Sequence, residues 1–180
     1  MIDRADDAQR IRNLRKELAE DAESKGYERG RVLPILIHPD HRLNTRCEAV
    51  TEITPDLQQL AADMLETMYD VKGIGLAAPQ IGVLKRLIVM DCKRSEATDP
   101  VVMFNPVVMT TSRSKMVWNE GCLSIPGYFA KIKRPTKVTV LWTDLQGVAR
   151  LSDFVGLWAI CVQHEIDHLN GKLIIEVPHA

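Results

Sequence analysis

Apolar and polar positions divide the chain into two helical patterns with strand-like runs between them. Thr54 can cap a helix that begins at Pro55 and keeps one apolar face until Gly73. That face consists of Leu57, Leu60, Ala61, Met64, Leu65 and Met68. A second helix is predicted over 156–169, and its stripe consists of Leu157, Ile160, Cys161, His164 and His168. Each stripe predicts a helix with one face in a core.

Strand candidates occupy most of the chain between these helices. Runs of β-branched and alternating residues predict strands at 86–91, 101–104, 107–111, 115–118, 137–144 and 148–154. Two further strands are predicted at the ends of this region, at 32–37 and 172–177. The strands cluster without regular β-α-β alternation, so the pattern predicts an α+β fold with antiparallel or mixed sheets.

The N-terminal residues are predicted to form a segment separate from the main domain. Residues 1–32 are predicted to be a helical extension, because Ile11, Leu14 and Leu18 have the spacing of one apolar face in an otherwise charged segment. Residues 33–180 then form one domain, as the length of 180 residues suggests.

Composition narrows the functional classes. Hydrophobic residues make up 46% of the chain and charged residues 26%, which is typical of a globular protein. The formal net charge of −1 disfavours a direct nucleic-acid site. No apolar run approaches the roughly 20 residues that cross a bilayer, and the first 30 residues lack the features of a signal or transit peptide. We therefore expect a cytoplasmic protein without membrane contact.

An HExxH pattern, His164-Glu165-Ile166-Asp167-His168, lies in the second helix. Four residues are slightly more than one turn, so both imidazoles project from one face and can bind one metal ion. Glu165 lies beside them and can handle a proton of water. The alternative is a pair of core histidines whose hydrogen bonds are all satisfied.

A catalytic metal site of this kind usually has three protein ligands. Downstream of the helix, the candidates are Glu176 and His179. Upstream, Cys122 lies where a predicted strand passes into a turn, and backbone N–H groups there are free to face a site. We expect an upstream ligand. The other cysteines, Cys47, Cys92 and Cys161, are interpreted as small buried hydrophobic residues, and Cys161 is also a candidate pocket residue.

A glycine-rich segment, GIGLAAPQIG, spans residues 73–82. Its GxGxxA pattern would bind a dinucleotide only between a strand and a helix, whereas here a helix precedes it and Pro79 and Gly82 disfavour a helix after it. The glycines instead allow a ligand backbone to come close, and Gln80 offers an uncharged amide donor.

With GIGLAAPQIG, EGCLS and QHEIDH in this order, the chain closely resembles the peptide deformylases over about residues 33–175. The resemblance implies an α+β metallohydrolase of protein biosynthesis, with sheets packed around a central metal-binding HExxH helix. It implies removal of the formyl group from the N-terminal formylmethionine of newly made polypeptides, with release of formate. Cys122, His164 and His168 then correspond to the metal ligands and Glu165 to the general acid/base.

The same resemblance implies further site residues and a cofactor. Gln80 and the backbone N–H of Leu123 are similar to the family's oxyanion donors, and Gly75 to a position that contacts the substrate backbone. The implied cofactor is one Fe(II) ion, replaceable by zinc, nickel or cobalt, although spacing alone favours zinc. The side chain of methionine is expected in an apolar pocket, and the alternative for its residues is simple core packing. The pocket candidates are Ile74, Leu157, Ile160 and Cys161.

Two other functions compete with this interpretation. One is a general HExxH peptidase, which the lack of a downstream ligand pattern opposes. The other is a silent, metal-stabilised binding module, which has no chemical need for Gln80, Cys122 and Glu165 together. The family also implies transient ribosome contact, but only residues 169–180 follow His168, where many members continue into a docking helix. Contact through such a helix is therefore not expected.

Overall fold

The computed structural model describes residues 30–92 and 99–179. The predicted N-terminal stripe of Ile11, Leu14 and Leu18 lies outside the described residues. Two α-helices occur in the described ranges: α1 is Pro55–Asp70 and α2 is Leu157–Leu169. The strands there are β1 Gly75–Ala77, β2 Leu87–Met90, β3 Val101–Thr111, β4 Lys115–Cys122, β5 Ile125–Pro135, β6 Lys137–Thr143 and β7 Ala149–Val155. Short 3₁₀ helices cover His41–Asn44 and Ala78–Ile81.

Both predicted helices are confirmed. The Thr54 side chain accepts a hydrogen bond from the Leu57 N–H, and Pro55 is the first residue of α1. The helix ends before Gly73, whose N–H donates to the Met68 carbonyl at 2.8 Å. Neither described helix has the length and apolar character needed to cross a membrane.

The strands form two antiparallel sheets, which confirms the α+β class. The larger sheet has the order β1-β2-β3-β6-β7, and β4 pairs with β5 in a separate sheet. Alternate side chains of the larger sheet face opposite sides, so the two helices pack on opposite faces. The residues in the core with α2 include Ala77, Ile88, Met90, Met103, Val138 and Val140. Those in the core with α1 include Leu76, Leu87, Val89, Val102 and Phe104.

Several strand boundaries differ from the prediction. The runs at 101–104 and 107–111 are one strand, β3, whose pairing with β6 shifts register twice. Between the runs, Asn105 has a φ of +50°, and its side-chain amide bonds the backbone of Val50 through both its oxygen and its nitrogen. The short strand β1 and the long strand β5 were not predicted. Pro126 and Gly127 suggested a turn where β5 begins.

Two predicted strands are wrong. Residues 32–37 lie against α1 and the 3₁₀ helix Ala78–Ile81 instead of joining a sheet. The Leu33 N–H donates to the Thr67 hydroxyl at 2.9 Å, and the Leu36 N–H donates to the Gln80 carbonyl at 2.7 Å. Residues 172–177 form turns, closed by the Leu173 N–H on the Glu176 carboxylate at 2.8 Å. In both segments local apolar content suggested a strand, but none of the strands in the described ranges pairs with them.

Candidate functional site

Two helical residues and one strand residue meet at the centre of the site. His164 and His168 lie one turn apart on α2, and Cys122 is the last residue of β4. The Cys122 Sγ lies 3.4 Å from the His168 Nε2, which lies 3.2 Å from the His164 Nε2. All three ligand atoms lie within 4.8 Å of one another. The structure therefore brings Cys122 to the histidines.

The downstream ligand candidates point elsewhere. The Glu176 carboxylate accepts from the Asn44 side-chain amide at 3.0 Å, and the His179 ring lies 3.5 Å from the Tyr128 hydroxyl. The alternative of a satisfied core pair is also disfavoured, because the His168 Nδ1 is buried without a hydrogen-bond partner among the described residues.

The chemistry of this cluster suits a divalent transition metal, since a thiolate and two imidazole nitrogens are common ligands of such ions. Burial and the nearby charge of His164 hold the pKa of His168 well below its usual range, so its ring is neutral and keeps a lone pair. Burial alone would lower the pKa of His164, but its hydrogen bonds with Cys122 and Glu120 raise it to about 10. The same negative surroundings favour a bound cation.

A buried chain of charged groups orients His164. Its Nδ1–H donates to Glu120 at 2.9 Å, which leaves Nε2 facing Cys122 and His168. Arg134 donates to Glu120 twice, at 2.5 and 2.9 Å, and to Asp167 at 2.8 Å. Burial opposes ionisation of Glu120, but its hydrogen bonds with His164 and Arg134 hold its pKa below the usual value. Glu120 therefore stays a carboxylate.

The Glu165 carboxyl group lies beside this cluster and is 4% exposed. Its Oε2 atom has no hydrogen-bond partner within the described part of the chain. Burial raises the pKa of Glu165 to about 7, against the opposing charge of His164. A carboxyl group with such a pKa can accept and return a proton near neutral pH.

Gln80 approaches the cluster from the glycine-rich segment. Its Oε1 accepts from the Ala77 N–H at 2.9 Å, which directs its Nε2 towards the Ser124 hydroxyl at 3.2 Å and the Cys122 Sγ at 3.7 Å. The Gln80 amide is therefore held as a donor beside the cluster.

A cavity of about 530 Å³ opens onto these groups. Every predicted site residue except His168 lines it, and His168 lies beneath it with 1% of its surface exposed. The five predicted substrate residues are all on its wall: Ile74, Gly75, Leu157, Ile160 and Cys161. Gly75 packs closely here, because an added Cβ would lie 2.7 Å from the Cys161 Sγ and would overlap the Glu165 carboxylate.

Some contributors to the site were not predicted from the sequence. Glu120 was identified only as part of a motif, although residues i and i+2 of a strand share a face, so its position relative to Cys122 was an available signal. Ser124, which bonds Gln80, was likewise identified only as part of that motif. Trp118 and Phe129, which line the cavity, carried no local signal.

Comparison with known proteins identifies the family of the chain. The family model for polypeptide deformylase matches residues 32–178. The peptide deformylase of Rhizobium meliloti (strain 1021) is 49% identical over 146 residues, which are 81% of this chain and 84% of the relative.

Solved structures give the same result. The peptide deformylase of Thermotoga maritima has a TM-score of 0.79 at 35% identity, covering 83% of this chain and 99% of that one. The peptide deformylase of Ehrlichia chaffeensis has a TM-score of 0.78 at 38% identity, and the match covers 82% of this chain and 88% of that one. The matched region contains the cavity and the Cys122 cluster. Because the family model covers most of the chain and the relatives match it closely, the chain belongs to the peptide deformylase family of enzymes, which hydrolyse the formyl group of N-terminal formylmethionine.

Proposed function

We propose that Cys122, His164 and His168 hold one divalent metal ion and that Glu165 is the general acid/base of formyl hydrolysis. The observation that supports this most directly is the cluster of three ligand atoms within 4.8 Å, beside a buried carboxylate oxygen that no described residue bonds. In this proposal α2 is the metal-binding helix around which the sheets pack.

The chemistry is divided between the ion and the chain. A bound divalent ion supplies Lewis acidity, which lowers the pKa of water and makes hydroxide available near neutral pH. Glu165 accepts the proton of the attacking water at its unpaired carboxylate oxygen and returns it to the leaving amine. Burial, which raises the pKa of Glu165, favours uptake of the proton that is then returned. The products are formate and a free N-terminal methionine.

Gln80 and the Leu123 backbone are proposed to stabilise the negative oxygen that develops on the formyl carbon. The Gln80 Nε2 is already oriented by the bond from Ala77 to its Oε1, so little reorganisation is needed during the reaction. Leu123 follows Cys122 directly and lines the cavity.

The apolar wall formed by Ile74, Leu157, Ile160 and Cys161 is proposed to receive the methionine side chain of the substrate. Full burial of such a side chain contributes about 1.5–3 kcal/mol. Gly75 lies at the same wall and, with no side chain, lets the substrate backbone approach.

The proposed ion is Fe(II), with zinc, nickel or cobalt as functional replacements. One sulfur and two nitrogen ligands are compatible with all four metals, so the choice of iron follows the family resemblance. Elemental analysis of protein purified without oxygen tests it, and a preparation that contains zinc alone would contradict it.

The remaining proposals concern the cellular setting. We propose cytoplasmic residence, action on nascent formylmethionine peptides with at most transient ribosome contact, and a division between a 1–32 extension and a 33–180 catalytic domain. Residues 30–33 pack on α1, where the Arg31 N–H donates to Asp63 at 2.8 Å. Cofractionation with ribosomes, compared between the full chain and one lacking residues 1–29, measures any contribution of the extension to that contact.

The acyl group provides the test of the proposed function. Formyl-Met peptides are expected to be hydrolysed at least about 10²-fold faster in kcat/KM than acetyl-Met peptides, because an added methyl displaces the carbonyl and about 1 Å of displacement can cost that factor. Formate release and free amine are measured on metal-loaded protein. Comparable rates on both substrates would favour a general peptidase or amidase, and no hydrolysis of either would favour the silent binding module.

Gly75→Ala is expected to lower kcat/KM by about 10²-fold while the metal content is unchanged. The new Cβ would overlap the Glu165 carboxylate and lie 2.7 Å from the Cys161 Sγ, so the carboxylate must move. Gly121→Ala is the comparison at the same cavity, because its Cβ would meet the ring of Phe129, which is 63% exposed, and not the Glu165 carboxylate. Equal activity losses in the two variants would contradict the placement of Glu165.

A further inference from the structure

Two thiols that take no part in the proposed metal binding or proton transfer lie at the cavity wall, Cys161 lining the cavity. Cys92 follows β2 and Cys161 lies in α2, and both are buried. The Cys161 Sγ donates to the Ile74 carbonyl oxygen at 3.4 Å, and the Cys92 Sγ donates to the same oxygen at 3.9 Å. Both thiols therefore lie against the same backbone oxygen.

The shared carbonyl group is held firmly between the two elements. It also accepts the Asp91 N–H at 2.9 Å, which continues the pairing of β1 with β2 beyond Gly75 and Met90. Cys92 is therefore anchored by the sheet, while Cys161 is anchored by α2. The two thiols thus come from different elements of the fold and reach one carbonyl oxygen.

The neighbouring Cys92 thiol affects the pKa of Cys161. The pKa of Cys161 is raised well above its ordinary value. The first cause is a hydrogen bond with Cys92, and burial and the charge of Glu165 follow. Cys161 therefore keeps its proton and is a poor attacking thiolate. In a reaction between this pair and an oxidant, Cys92 is the attacking thiol and Cys161 the second thiol.

We propose that Cys92 and Cys161 are a modification site at which hydrogen peroxide forms a disulfide bond. The Cys92 sulfur attacks one peroxide oxygen, the O–O bond breaks, and the departing hydroxide takes a proton to become water, which leaves a sulfenic acid on Cys92. The Cys161 sulfur then attacks the Cys92 sulfur, the S–O bond breaks, and the hydroxide leaves as water with the Cys161 proton. Two thiols are oxidised and one peroxide is reduced to two waters.

The bond would act on the cavity wall. Cys161 lines the cavity, and its Sγ is close to the Cα of Gly75 and to Glu165. A disulfide withdraws both thiol donors from the Ile74 carbonyl and ties the end of β2 to α2. The remaining cysteines have other neighbours: the Cys122 Sγ contacts His168, and the Cys47 N–H donates to the Leu169 carbonyl.

The test is a cross-link in the full chain loaded with zinc and treated with hydrogen peroxide. Free thiols, counted after denaturation, are expected to fall from four to two, and dithiothreitol is expected to restore four. Tryptic digestion then gives residues 87–93 joined to residues 151–172, each with one cysteine. The zinc content is expected to stay unchanged, because Cys122 is not consumed.

Matched variants separate this pair from general oxidation. Cys47→Ala removes another buried thiol and is expected to leave the 92–161 link intact. Cys92→Ala is expected to prevent the link, and Cys161 is then expected to remain a free thiol. Absence of the linked peptide in the wild-type chain, or linkage of Cys47 or Cys122 in its place, would overturn the proposal. The link is detected without measuring turnover, so a result that overturns this proposal does not bear on the proposed function.

Discussion

Glu165→Gln is expected to lower kcat on a formyl-Met peptide by about 10² to 10⁴-fold, the usual contribution of a positioned acid/base. The amide has nearly the shape of the carboxyl group but cannot take a proton from water. Cys122, His164 and His168 are untouched, so the variant is expected to bind a full equivalent of metal. Formate release and elemental analysis on the same preparation provide both measurements.

Glu176→Gln is the matched control for that loss. Glu176 is an exposed acidic residue whose carboxylate bonds Asn44, away from the cavity. Its replacement is expected to leave turnover unchanged. Near-normal activity of Glu165→Gln would show that another group carries the proton, and loss of its metal would show that Glu165 is itself a ligand.

Cys122→Ala is expected to weaken metal binding by more than about 10²-fold, because loss of an outer hydrogen-bond partner alone typically costs 10 to 100-fold and this change removes a ligand. Two imidazoles remain, which is fewer than the three protein ligands of typical catalytic sites. Activity is expected to fall with occupancy. Metal titration followed by competition with a chelator measures the affinity.

Cys47→Ala controls for the removal of a buried thiol, since Cys47 is 4% exposed. Its backbone N–H donates to the Leu169 carbonyl, and alanine keeps this bond. It is expected to keep full metal affinity. A folded Cys122→Ala protein that still holds a full equivalent of metal would identify a different third ligand. Thermal unfolding of both variants shows whether each is folded.

Local patterns were sufficient for part of the fold. The helix α1 was predicted from a cap, a first-turn proline and a stripe that recurs with the period of one helical turn. The pairing of β6 with β7 across Leu145-Gln146-Gly147 was also within reach, because hairpin residues are close in sequence. The same reasoning failed at 32–37 and 172–177, since a strand needs a partner and local composition does not say whether one is present.

The sequence by itself determined the spacing of His164, Glu165 and His168 on one helix, because helix geometry depends on residues within one or two turns. It also contained the three motifs that resemble one enzyme family. Only the tertiary structure decided that the end of β4 brings Cys122 to these histidines, that Glu120 and Arg134 orient His164, and that Cys92 and Cys161 share one carbonyl oxygen. These contacts join distant parts of the chain, and they depend on strand order and register, which local periodicity does not encode.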